Sequence, residues 1–171
     1  MKLRLLFYSF FIILLLVLQT TLLDYVAIYG IKPNLIVVFI IVTALVRGNV
    51  EGGTVGFFFG LAMDMLFGTV LGFNALLGLY LGIAAGSVNR RLFRENLLVV
   101  LFFTFVYSVV YELTVYVLNT IMSGHMELLY PLTRVILPEA SYNCAAAVLI
   151  YALLIKADRR FTETGKISRK Y

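Results

Sequence analysis

The chain has 171 residues, of which 62% are hydrophobic and 13% charged, with a net charge of +5 and a mean hydropathy of +0.99. A soluble domain carries roughly 25% charged residues, so too few polar side chains remain to cover a soluble globule of this size. That balance excludes an ordinary soluble enzyme, a disordered tail protein and a disulfide scaffold. Six transmembrane helices of about 20 residues each would use roughly 120 residues and leave no room for a separate soluble domain. The fold class expected is therefore an all-α membrane protein, a single six-helix transmembrane domain over 1–156 with a charged cytoplasmic tail over 157–171.

The first run, at about 5–23, follows Lys2 and Arg4. It resembles a signal peptide, but it ends in Gln19-Thr20-Thr21-Leu22-Leu23 without a small-x-small cleavage site, so an uncleaved helix is expected. The second, at about 33–47, has an apolar stretch from Leu35 to Val46 that covers only some 18 Å, making it the weakest span. Gly52 to Val88 is one apolar stretch, about 55 Å long as a single helix and too long for one crossing. Gly68, Gly72 and Asn74 offer a turn within it, which predicts a tight hairpin of helices at about 50–70 and 73–88. Asn89 to Glu95 is the most polar internal loop. A fifth helix is expected at about 97–121 and a sixth at about 133–155, with Pro138 placed to kink it. The loop between them holds Gly124, the lone His125, Glu127 and Pro131, and the tail beyond 156 is expected to fray in water.

With the N-terminus inside and six crossings, 12 of the 14 Lys and Arg fall on the cytoplasmic side. Lys32 and Arg134 alone fall outside. This bias supports six spans with both termini in the cytoplasm, and it reads the net charge as a topology signal instead of a nucleic-acid patch. Tryptophan is absent, so Tyr8, Tyr25, Tyr29 and Tyr130 are the candidates for an interfacial belt. Cys144 is alone, so neither an internal disulfide nor a cysteine metal site is expected.

Small residues recur every fourth position. Gly52, Gly56, Gly60, Gly68 and Gly72 keep that step in the third segment with Asp64 in the missing place, and Gly78, Gly82 and Gly86 keep it in the fourth. A four-residue step drifts about 40° around a helix, which makes a slanted groove where backbones approach closely. A helix-packing seam or partner interface is expected, internal in preference to intermolecular. Asp64, Glu112 and Glu139 are carboxylates inside apolar segments, where such groups face protein or a water-filled cavity. We read them, together with Asn74, as an intramembrane polar set that bonds helices together, with Asn119, Tyr107, Tyr111 and Asn143 as possible partners. A role in substrate binding, proton relay or partner contact is the competing reading. On the structural reading, an asparagine at position 64 should keep function. There is no His-Glu-x-x-His, no phosphate-binding loop and no Gly-x-Ser-x-Gly, so no catalytic residue, metal ligand or cofactor site is nominated.

Leu18-Gln19-Thr20-Thr21-Leu22-Leu23, Gly30-Ile31-Lys32-Pro33-Asn34-Leu35, Gly56-Phe57-Phe58-Phe59-Gly60-Leu61-Ala62-Met63-Asp64 and Gly72-Phe73-Asn74-Ala75-Leu76 occur in an order that resembles the MreD family of bacterial rod-shape-determining membrane proteins. Asn34 departs from that pattern, since the family often has aspartate there. The resemblance implies a non-enzymatic, multi-pass scaffold of the bacterial cytoplasmic membrane. It implies an MreC-like single-span partner, and through it a link from MreB filaments to RodA and a penicillin-binding transpeptidase. It further implies a bundle like the substrate-binding subunits of energy-coupling-factor vitamin transporters. Such a subunit is the alternative function, disfavoured because the first helix lacks the Ala-x-x-x-Ala-like docking motif.

Overall fold

The computed structural model describes residues 2–23, 25, 27–28, 30–67, 70–88, 96–123 and 131–167, with side chains from Tyr8 to Ala157 apart from residues 122 and 123. Among these residues there are six helices. They are α1 (Lys2–Val17), α2 (Leu35–Arg47), α3 (Asn49–Phe67), α4 (Phe73–Ser87), α5 (Leu97–Ser123) and α6 (Leu137–Ile167). Wider turns at Leu18–Leu22 and Leu132–Ile136 extend α1 and lead into α6. The second precedes Pro138, whose ring removes the N–H that would bond one turn back. The final helix continues to Ile167, past the expected end at 155. Asn89 to Glu95 and His125 lie outside the described residues.

Three helical stretches are long and apolar enough to cross a membrane: Asn49–Phe67, Leu97–Ile121 and Leu132–Ala157. Three apolar helices are shorter, Tyr8–Leu22, Leu35–Arg47 and Phe73–Ser87. The shortest, α2, is the centre of the molecule. Every residue from Ile36 to Val46 is buried, and α1, α3, α4, α5 and α6 all pack against it. Its sequence, Leu-Ile-Val-Val-Phe-Ile-Ile-Val-Thr-Ala-Leu-Val, has no polar face, the pattern of a helix enclosed on all sides. Its 13 residues reach about 20 Å, short of the roughly 30 Å hydrocarbon core. An enclosed helix can be that short, because protein groups rather than lipid meet its ends.

Phe39 joins the first three helices. Its ring stacks on Phe11 of α1 at 5.4 Å, meets Phe59 of α3 at the same centroid distance and takes Tyr8 edge-on at 6.4 Å. Tyr8 therefore turns inward, away from the lipid belt expected of it, and its hydroxyl donates to Glu51 Oε2 at 2.7 Å. Arg47, one turn before Glu51, lies 3.7 Å from the same oxygen.

Candidate functional site

The glycine register resolves into a backbone-to-backbone seam between α3 and α4. Gly48 breaks the chain after α2 at φ +99°, and α3 then descends antiparallel to α4. Gly52 faces Gly82, Gly56 faces Gly78, Gly60 faces Asn74 and Ala75, and Gly86 faces Gly48 and Asn49. Each step of four down one helix matches a step of four up the other, so the small residues stay in register along the crossing. A Cβ added at Gly60 would fall 2.6 Å from the Cα of Ala75, and one at Gly52 would fall 2.7 Å from the Cα of Ala44 on α2. A Cβ at Gly56 would run into the carbonyl of Gly78. The seam is thus internal, and it also admits α2. Gly72 is not part of it. No atom stands within 4 Å of its missing Cβ, and its φ of +95° is what the turn into α4 requires. Gly68 lies outside the described residues.

Asp64 fills the gap in the glycine register, and its position explains why. It is 2% exposed and reaches from α3 across the hairpin to the first turn of α4. Its Oδ2 accepts from the backbone N–H of Gly72 at 3.0 Å and of Ala75 at 3.1 Å. Its Oδ1 accepts from the backbone N–H of Asn74 at 3.0 Å and from Asn74 Nδ2 at 2.9 Å. A helix leaves its first N–H groups without intrahelical partners, and its N-terminus carries partial positive charge. A carboxylate held there supplies acceptors and complements the dipole. Asp64 is therefore a cap donated by one helix to the next. Asn74, the other half of the pair, is fixed by it.

A second polar station ties the start of α2 to α5 and α6. Asn34 caps α2, its Oδ1 accepting from Val37 N–H at 3.2 Å, the ordinary use of asparagine at this position. Its own N–H donates to Asn143 Oδ1 at 2.7 Å, and its Nδ2 donates to Glu112 Oε1 at 3.4 Å. Asn143, fully buried, donates in turn to Ser108 Oγ at 3.2 Å. Glu112 and Glu139 meet through their side chains, one on α5 and one on α6. Gln19 clasps the same entry to α2. Its Nε2 donates to the Pro33 carbonyl at 3.2 Å, and its Oε1 accepts from Leu35 N–H at 3.0 Å. Buried backbone outside helices needs partners, and Gln19 and Asn143 supply them for residues 33–35.

Tyr111 stands within electrostatic reach of Glu112, Asp64 and Glu139, so the two stations share one end of the bundle. Tyr107 instead donates to the Ala84 carbonyl at 2.9 Å, tying α5 to α4. Asn34, Gln19 and Ser108 were not singled out as partners in the sequence. The first had a readable signal, an asparagine directly before an uninterrupted apolar run. Among the described residues no group of three or more His, Cys, Asp or Glu side chains could hold a metal ion. The polar side chains of both stations are engaged with backbone groups or with one another.

Residues 1–160 match the model of a protein family described as rod shape-determining protein MreD. No curated protein and no solved structure matches the chain.

Proposed function

The chain belongs to the MreD family of rod shape-determining proteins, and from that premise we propose that it is a non-enzymatic membrane scaffold of cell-wall elongation. The scaffold crosses the bacterial cytoplasmic membrane six times with both termini inside. It binds an MreC-like single-span protein and through it couples MreB filaments to RodA and a penicillin-binding transpeptidase. The observation that carries this reading is the family match over nearly the whole chain. The geometry supports it in a second way. Asp64, the least exposed acid among the described residues, is spent on capping a helix, which is construction and not chemistry.

The mechanism that follows is mechanical. The α3–α4 seam and the Asp64 cap fix a rigid hairpin against the buried α2. A rigid bundle can hold a partner helix at a constant angle, because its own helices have no freedom to reorient. The basic positions on the inner side keep the orientation against anionic lipid.

Affinity purification of the tagged protein from membranes, after solubilisation in mild detergent, tests the partner. The expected result is recovery of a single-span protein with a large extracytoplasmic domain in constant proportion to the bait. Recovery of a transport ATPase in its place would overturn the scaffold reading.

A further inference from the structure

We propose that the cleft between the start of α5 and the second half of α6 is a binding site for one anionic phospholipid. The cleft has a volume of about 410 Å³ and is lined by Leu97 of α5 and by Val148, Tyr151, Ala152, Ile155 and Lys156 of α6. Its α6 wall follows helical steps of four, Val148 to Ala152 to Lys156 and Tyr151 to Ile155. It therefore runs parallel to the helix axis for about 12 Å. Five of the six lining residues are apolar or aromatic, and the sixth is a cation at one end.

That end is the membrane boundary. The apolar run of α6 ends at Ile155, and the sequence continues Lys156-Ala157-Asp158-Arg159-Arg160, three bases to one acid. The helix continues to Ile167, and Arg159 and Arg160 follow Lys156 in the sequence. The cleft thus has the polarity of a lipid: a negative headgroup at Lys156 and an acyl chain along Ala152 and Val148.

The dimensions favour a lipid over a partner helix. A helix with side chains is 10–12 Å across and rises 5.4 Å per turn, so a single turn takes up about as much space as the whole cleft. An acyl chain is thin enough to lie along it. Charge complementarity selects an anionic headgroup, since each basic residue near an anionic surface contributes about a fivefold preference. This inference needs only that the protein sits in a membrane, so it stands or falls apart from the scaffold reading.

Native mass spectrometry of the full chain, delipidated and then given equal phosphatidylglycerol and phosphatidylcholine, reads the site. One phosphatidylglycerol per chain should be retained, at least about fivefold over phosphatidylcholine. Lys156→Gln should bring the two lipids toward parity, and Ala152→Phe, which fills the cleft, should reduce retention of both. Positions 152 and 156 are both exposed, so these variants leave the core intact. Equal retention of the two lipids by the unaltered protein would overturn the proposal, and so would unchanged retention in both variants. A photo-reactive group at position 152 gives a second reading in native membranes. A lipid adduct supports the site, and a protein adduct assigns the cleft to a partner helix instead.

Discussion

Replacing Gly56 with leucine is expected to abolish the folded protein. Even the first carbon of a side chain at position 56 would enter the Gly78 carbonyl, and that obstacle is backbone, which cannot rotate aside. The two helices would have to separate along the whole seam, because Gly52, Gly60 and Gly86 depend on the same approach. The loss should exceed the roughly 1–3 kcal/mol typical of overpacking, since close backbone contact is the main attraction between helices in lipid. Yield of monodisperse protein and its unfolding temperature in detergent measure this. Gly53→Ala is the control one face away. Its Cβ would meet only side chains, Ile83 at 2.9 Å and Leu79 at 3.4 Å, and these can shift. A Gly56→Leu protein that unfolds at the normal temperature would show that the seam is not what holds α3 to α4.

The second large effect belongs to Asp64. Asp64→Ala should strand three backbone N–H groups at the start of α4, those of Gly72, Asn74 and Ala75. An unsatisfied buried donor costs about 1–3 kcal/mol; Ala75 N–H is buried and the other two are part-buried, so a loss of at least about that size is expected, a large share of a typical folding stability. Asp64→Asn should fall between the alanine variant and the unaltered protein. Both carboxylate oxygens accept, so an amide must turn its N–H₂ toward donors on one side. Rotation of the Asn74 side chain offers one replacement acceptor but leaves a backbone N–H unpaired. The expectation from sequence is that asparagine keeps function in a structural role; the separate partners of the two oxygens add a loss of stability to it. Thermal unfolding of the three proteins in the same detergent should give the order aspartate, asparagine, alanine. An asparagine variant as stable as the unaltered protein would mean that the second oxygen contributes nothing.

The sequence carried the helices better than their arrangement. Apolar runs and turn residues placed all six, and the four-residue glycine step announced a close crossing. The step alone could not say what it faced, because the matching register on α4 has meaning only once the turn between the helices is tight. Asp64 was legible as an anomaly but its partners were not. They come from the first turn of the next helix, and the same spacing suits a residue facing water, a ligand or a neighbour. The short second helix stands out in sequence by its length, but its burial does not, because a helix without a polar face suits a protein core and a lipid-facing span alike. The end of α6 lies beyond the expected 155. Charge after Ile155 marks where the apolar run ends, not where the helix does, and Lys, Ala, Asp and Arg are all compatible with continuing it.

The central claim is that this bundle serves cell shape by holding other proteins in the membrane. Depletion of the protein from growing cells, followed by microscopy over several generations, tests that claim most directly. The account predicts that rods widen and round up, and that the unaltered protein restores them while the Gly56→Leu variant does not. Depleted cells that keep their width and length would contradict it.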